Sequence, residues 1–399
     1  MKLLFVVDAR DLDKVDSGAS VRSTLFLKAL AQLGHVDVIS FFKPGIASKY
    51  ANCDVINADV ESLAIPKYRS FPGRFWINFL FRIRDPYTYY KFEPVKERFI
   101  DDYVRTHEYD FIACRYIDEA SRLGLLKYKD RLLLDIDDNP SKAFRITLDS
   151  QTFPSAYMRW KSVLLSKTIG LMIKKVLPGF RCVFYSNPLE KPFPKSVLLR
   201  NTAASEFNIP DLDDSAPRRI LLVGFYHYLP NREGVIHFTE RIFPIIKSAV
   251  PDVEFHIAGL GLDPEFLERL NAMDGIKALG FVKDLEKEYR ETMVIIIPIY
   301  QGSGTCIKFV EGLKTNRPMV STPVGYRGFD EVCKDGEHFL LARDDNEFAE
   351  KVIRLLKSPE ESRRVAHNAL KAGKAHFSQE AFMSVVKEAV LSCAQQNQN

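Results

Sequence analysis

The residues best placed to do chemistry lie between Gly302 and Glu311. Gly302-Ser303-Gly304-Thr305 is a glycine-bounded loop, Lys308 follows it, and Glu311 comes three residues after Lys308. Glycines let a backbone approach a ligand closely. A lysine beside them answers an anion such as a phosphate, and one carboxylate accepts two O–H bonds from a diol. Residues three apart share a helix face, so Lys308 and Glu311 are expected to point the same way. The loop follows the apolar run Val294–Pro298 and leads into a helix that stops at Asn316-Arg317-Pro318, before the strand Met319-Val320. A strand, a glycine loop and a helix start offer free N–H groups and the positive end of the helix dipole to an anion. Ile307, Val310 and Leu313 are expected to face the core. The plain alternative is an ordinary α/β crossover with a surface Lys–Glu pair.

A second constellation, Asp135-Ile136-Asp137-Asp138, ends the apolar run Leu132–Ile136. Carboxylates there can contact a sugar or acceptor, cap the next helix, or hold Mg²⁺, in that order of preference. Gly259-Leu260-Gly261 also follows a strand, but Pro264 stands where a dinucleotide fingerprint has its third glycine. No Ser–His–Asp arrangement, nucleophile elbow or P-loop occurs. The eight histidines lack metal-ligand spacing, and no metal site is expected.

The elements that must position these residues read as two α/β series. The first opens with the strand Lys2–Val7, a polar loop with Gly18, a helix over Val21–Leu33 stopped by Gly34, and a strand over Val36–Phe42. Strands at Phe111–Cys114 and Leu132–Ile136 follow. Arg115, Tyr116, Asp137, Asp138 and Asn139 then sit at carboxyl ends, where open α/β sheets bind ligands. The polar segment 204–217 reads as a linker. The second series runs through strands at Ile220–Gly224, Val253–Ala258, Ile276–Val282 and Val294–Pro298. Its helices are Glu233–Val250, with Pro244 near the middle, Pro264–Met273 and Asp284–Glu291. Helices near Asp344–Lys357 and Glu360–Ala375 and a terminal amphipathic helix complete it. The expected divisions are 1–203, the linker 204–217, 218–376, and a helix and tail over 377–399.

The chain has 399 residues, 46% apolar and 27% charged, an ordinary globular composition with room for two cores. No run reaches membrane-span length, and the opening Met1–Asp8 is too short before its first acid to be a signal peptide. Six scattered cysteines without a C-x-x-C argue against a zinc or disulfide framework and for a reducing cytoplasm. Net charge is +4, but residues 1–200 carry 32 basic against 23 acidic side chains and residues 201–399 carry 24 against 29. Lys67–Arg84 holds five basic residues, no acid, and interleaved Tyr68, Phe71, Phe75, Trp76, Phe79 and Phe81. That pattern suits an anionic membrane surface. The alternative is an aromatic core with a solvated basic rim, and no nucleic-acid motif accompanies it. Met158–Val176 is also acid-free but has no clean apolar face.

In order, VGFYHYLPN (Val223–Asn231), EFHIAGLG (Glu254–Gly261), GFVKDL (Gly280–Leu285) and PIYQGSGTCIKFVEGLKTNRPMVSTPVGYRGF (Pro298–Phe329) resemble a GT-B glycosyltransferase of the family 4, or group 1, type. LLLDIDD resembles a capsule and exopolysaccharide subgroup. The resemblance implies two Rossmann-like α/β domains facing each other across a cleft, with the last helix crossing back to the first domain. It implies transfer of a sugar from a UDP- or GDP-sugar to a glycan or lipid-linked acceptor, of the retaining and metal-independent kind, with no tightly bound cofactor. Such an enzyme would work in the cytoplasm or peripherally on the inner face of the membrane, without nucleic acid. By the same resemblance Glu311 meets the ribose, Lys308 and Gly302, Ser303, Gly304 and Thr305 the diphosphate and sugar, and Gly280, Phe281 and Val282 the base. Gly224 and Asn231 bound the loop beneath the phosphates, and Gly18 belongs to the glycine loop of the first domain. Asp137 stands about where relatives carry an active-site histidine, with Asp138 beside it. Ser303 replaces the first glutamate of the family's pair, and Phe225 and its neighbours replace the usual basic residues of the phosphate loop. These two departures leave a catalytically silent, nucleotide-binding subunit as the alternative.

Overall fold

Short apolar runs build two parallel sheets. In the computed structural model the described residues are 1–7, 12, 18–41, 51–57, 94–138, 177–213, 216–302 and 304–396, with single positions between 156 and 174. Ser303, the segment Lys67–Arg84 and most of Met158–Val176 lie outside them. The chain divides into Met1–Asn201 with Gln379–Asn399, and Thr202–Ser378.

The first unit has seven strands: β1 (Lys2–Val7), β2 (His35–Ser40), β3 (Cys53–Asn57), β4 (Phe111–Arg115), β5 (Leu132–Asp135), β6 (Cys182–Tyr185) and β7 (Val197–Leu198). Their order is β3-β2-β1-β4-β5-β6-β7, and every pair is parallel. Both faces are covered, which is why the strands read as unbroken apolar runs. Leu4, Val6, Ile112, Leu132 and Leu134 face one core, and Leu3, Phe5, Phe111, Leu133 and Phe184 face the other. The second face is covered by α1 (Gly18–Ala31). Helices α2 (Pro94–Thr106) and α3 (Ile117–Arg122) follow in the chain.

The second unit has six strands: β8 (Arg219–Val223), β9 (Glu254–Ala258), β10 (Ile276–Gly280), β11 (Val294–Ile297), β12 (Met319–Ser321) and β13 (Leu340–Leu341). They lie in the order β10-β9-β8-β11-β12-β13, again all parallel. The order reverses between β8 and β11, so the loops after these two strands diverge there and leave a crevice at their carboxyl ends. The helices are α4 (Leu229–His237), α5 (Phe243–Ala249), α6 (Pro264–Asn271), α7 (Leu285–Arg290), α8 (Ile307–Gly312), α9 (Pro323–Tyr326), α10 (Asp345–Lys357) and α11 (Pro359–His376). Asp263, Asp284 and Asp344 cap α6, α7 and α10 through their side chains.

Two expected helices differ. The one expected over Glu233–Val250 begins earlier, at Leu229, and passes through a π turn at Phe238–Ile242 before Pro244. Proline lacks an N–H and crowds the preceding turn, and the wider turn absorbs both. The helix expected to reach Asn316 ends as α8 at Gly312. Gly312 is a poor helix former, the Thr315 hydroxyl donates to Gly312 O at 2.8 Å, and Asn316 takes φ 53°.

Residues 202–212 pack on the second unit. Ala203, Ile209 and Leu212 are buried. Arg317, 2% exposed, donates to the carbonyls of Thr292, Pro210, Asn316 and Arg290. The last helix, α12 (Gln379–Gln395), belongs to the first unit, where Phe382, Val386, Val390 and Cys393 join the core with Val21, Leu25 and Phe26 of α1.

Candidate active site

The loop after β8 and the loop after β11 meet at the switch point of the second sheet. Lys308 lies in the first turn of α8, and its Nζ donates to Asn231 Oδ1 at 2.7 Å. Asn231 is anchored in turn, because its Nδ2 donates to Phe225 O at 2.7 Å. Gly224 supplies the room: a Cβ there would sit 3.1 Å from Lys308 Cε.

Gly259 and Gly261 form the floor of this loop. A Cβ on Gly259, whose φ is 137°, would stand 1.7 Å from Gly224 O, and one on Gly261 would stand 2.5 Å from His227 N. The Gly-x-Gly pair thus lets two loops close on each other. Gly259 N also donates to Gly280 O at 2.7 Å, which brings the loop after β10 to the same edge. Phe281 there is 64% exposed, and Val282 packs partly on the core.

Within the β11–α8 loop, Gly304 takes φ 78°, a conformation that glycine adopts without strain. The Thr305 hydroxyl is buried and has no hydrogen-bond partner among the described residues. Such groups are rare in folded proteins and mark places where a further group belongs. Arg327, directly after α9, donates from Nη2 to Gly302 O at 3.2 Å. It was not among the sequence candidates. It follows the short helix that β12 leads into, past the carboxyl end of a strand, and that is the signal that could have found it.

Burial dominates the titration of the site. It lowers the Lys308 ammonium below its usual range, although Cys306 and Glu311 oppose this. It raises the Glu311 carboxyl, although Tyr289, Lys308 and Lys314 favour the charged form. Tyr289 is itself buried behind Glu311, another contact that linear spacing could not reveal. Burial pushes the Cys306 thiol up, so it stays protonated beside Lys308 and Arg327. The backbone N–H of Phe309 donates to Cys306 O at 3.0 Å. With only six residues in α8, the side chains of Lys308 and Arg327 carry the positive charge here more than the expected helix dipole. The apolar stripe also shifts. Phe309, Val310 and Leu313 are buried while Ile307 is only half-buried, and Phe309 packs on Phe329 and Phe339 at 4.5 and 5.0 Å.

Gly18, Asp137 and Asp138 belong to the first unit. Gly18 begins α1. Asp135 is fully buried and bound by Arg22 through Nε and Nη2, both at 2.7 Å, and by Arg115 Nε at 2.9 Å. Burial alone would raise Asp135; the two guanidiniums outweigh it and hold the carboxyl low. Asp137 takes φ 55° and accepts from Arg115 Nη2 at 3.0 Å and from Asn201 Nδ2 at 3.3 Å. Asp135 and Asp137 thus bind guanidiniums already present. Asp138 accepts from the Ser186 hydroxyl at 2.6 Å, and burial followed by the Asp137 charge raises it to about 6.

Residues 217–358 match the family described as Glycosyl transferases group 1. That match lies within the second unit. An uncharacterised 44.6 kDa protein in the cps region of Klebsiella pneumoniae is 25% identical over 178 residues, 42% of this chain and 45% of that protein. The chain thus matches less than half the length of that curated relative. Sucrose-phosphate synthase from Thermosynechococcus elongatus superposes with TM-score 0.65 at 15% identity, covering 100% of both chains. Anabaena HepE, in complex with UDP and glucose, gives 0.61 at 13%, covering 98% of this chain and 100% of its own. These likenesses extend beyond residues 217–358 and show the GT-B fold for the whole chain.

Proposed function

We propose that this protein transfers a sugar from a nucleoside diphosphate sugar to a glycan or lipid-linked acceptor. The observation that carries the proposal is the meeting of Lys308, Thr305 and Arg327 at the switch point of the second unit. Cleaving a glycosyl phosphate bond places negative charge on the leaving diphosphate. A partly desolvated lysine and an unpaired hydroxyl, held in place beforehand, stabilise that charge as it grows. Glu311, backed by Tyr289, accepts the two ribose hydroxyls, and Gly280, Phe281 and Val282 bracket the base.

Asn231 fixes the Lys308 ammonium, and Arg327 holds the Gly302 carbonyl, so the donor loop is shaped by its neighbours before substrate arrives. In the first unit, Asp138 has the carboxylate suited to an acceptor hydroxyl, while Arg22 and Arg115 fix Asp135 and Asp137 beneath it. The HepE complex with UDP and glucose supports a UDP-sugar as the first donor class to try. The cps-region relative supports a surface-polysaccharide acceptor. Retention of configuration and independence of metal belong to the same proposal.

Release of nucleoside diphosphate from a panel of UDP- and GDP-sugars, with and without lipid-linked acceptors, tests it. Turnover with one donor is expected, and Lys308→Met should lower kcat/KM by about 10²-fold or more. Tight nucleotide binding with no turnover on any acceptor would instead favour a silent binding subunit. Unchanged turnover in Lys308→Met would sink the site.

A further inference from the structure

Three side chains of the first unit converge on one face of its sheet. Asp37 of β2 and Asp54 of β3 stand directly opposite each other in the parallel ladder. His35, two residues before Asp37 on the same strand, shares that face. His35 Nε2 lies 3.2 Å from Asp37 Oδ1 and 3.2 Å from Asp54 Oδ2, and the three atoms are all within 4.8 Å of one another. The Asp37 side chain is only 8% exposed, and its other oxygen accepts from the Tyr109 hydroxyl. Among the described residues no lysine or arginine pairs with either carboxylate.

Hydrogen bonding alone leaves this group short of a cation. A ring nitrogen carries one proton or one lone pair, so it serves one oxygen along one line, yet two oxygens stand equally close to Nε2. Like charges directly opposite on neighbouring strands repel. A buried carboxylate is ordinarily paired with a cation or ligates a metal. His256 in the second unit makes the contrast. It too touches two carboxylates, but Glu254 and Glu288 take a different ring nitrogen each, and Arg219 and Lys277 supply their charge.

We infer that His35, Asp37 and Asp54 form a zinc site that clips β3 to β2. One zinc ion takes the Nε2 lone pair and offsets both carboxylates. Nitrogen and oxygen ligands about 2.0–2.2 Å from zinc stand roughly 3.0–3.4 Å apart, which spans the spacing found here. Tyr109 orients Asp37 from behind, as outer partners of metal ligands do. One imidazole with two carboxylates suits zinc, whereas magnesium and calcium take sets of oxygens. The three ligands lie among the opening residues of β2 and β3, apart from the carboxyl ends that bear the candidate reaction residues. The site therefore fastens β3, the edge strand among the described residues, and takes no part in the transfer.

The test uses the full chain, stripped of metal with a chelator and titrated with zinc chloride by calorimetry. One zinc per chain is expected, and the thermal midpoint should rise with zinc and fall back when the chelator returns. Asp54→Asn and His35→Gln change exposed side chains and should fold as the native chain does, yet bind zinc about tenfold more weakly or worse. Tyr109→Phe should weaken it by about tenfold through Asp37. Cys53→Ser, beside Asp54 but on the other face of the strand, should bind zinc like the native chain. X-ray absorption at the zinc edge should show nitrogen and oxygen neighbours and no sulfur. Overturning results are no saturable zinc binding, native affinity in both Asp54→Asn and His35→Gln, sulfur in the zinc shell, or displacement of zinc by an equal concentration of magnesium.

Discussion

At Glu311, function and stability pull in opposite directions. Burial raises its carboxyl, so the folded chain holds the proton more tightly than the unfolded one. Such a group withdraws stability as pH rises past the unfolded value, and the loss is complete above the folded value. Glu311→Gln is therefore expected to raise the thermal midpoint at pH 7.5, with the gain shrinking toward pH 4, and to weaken nucleotide binding. A lower midpoint at pH 7.5 would show that the carboxylate supports the fold and would count against its role as a ligand. Asp135 has the opposite sign. Despite burial, Arg22 and Arg115 hold it low, so its contribution is full above the ordinary aspartate range and fades as pH falls through its folded value. Asp135→Asn leaves two guanidiniums short of a charge and should cost about 3–5 kcal/mol in urea unfolding at pH 7. The gap to the native protein should narrow in acid.

Among the elements, the loops after β8, β9 and β10 stack through Gly259. Its positive φ and the 1.7 Å approach of Gly224 O to a would-be Cβ leave an alanine nowhere to go. Gly259→Ala should cost about 2–4 kcal/mol by denaturant unfolding and weaken nucleotide binding as well, because the Gly224 loop beneath Lys308 must move. Loss of stability with unchanged nucleotide affinity would separate that floor from the site. The same element shows how legible the chain was. Gly259-x-Gly261 was visible, but its partner is a loop some thirty-five residues earlier, roughly the length of one βαβ unit, and periodicity reports only neighbours on one element. The shortening of α8 has a similar origin. Lys308 and Glu311 could be seen as one face, whereas the close of α8 through the Thr315 hydroxyl and the positive φ of Asn316 depends on how the chain turns back into β12.

Across the whole molecule the two units differ in continuity. The second is one unbroken stretch, Thr202–Ser378, while the first needs α12 from the end of the chain. Ending the chain at Ser378 removes Phe382, Val386 and Val390 from the core over α1, where each buried side chain contributes about 1.5–3 kcal/mol. The truncated chain should lose the first unit's unfolding transition while the second still melts cooperatively and binds nucleoside diphosphate, followed by calorimetry and ligand-dependent thermal shift. A first unit of unchanged stability would overturn that dependence. The sequence by itself determined the two α/β series, the strand ends that bear chemistry, and the Gly302–Glu311 stretch. These are local: apolar runs, glycine spacing and helix faces act within a few residues. Only the tertiary structure decided that Arg327 and Tyr289 join that stretch, and that Arg22 and Arg115 bind Asp135. Each contact joins residues far apart in the chain, and which distant side chains share a buried space is settled when sheets and helices pack, not by the order of residues along one element.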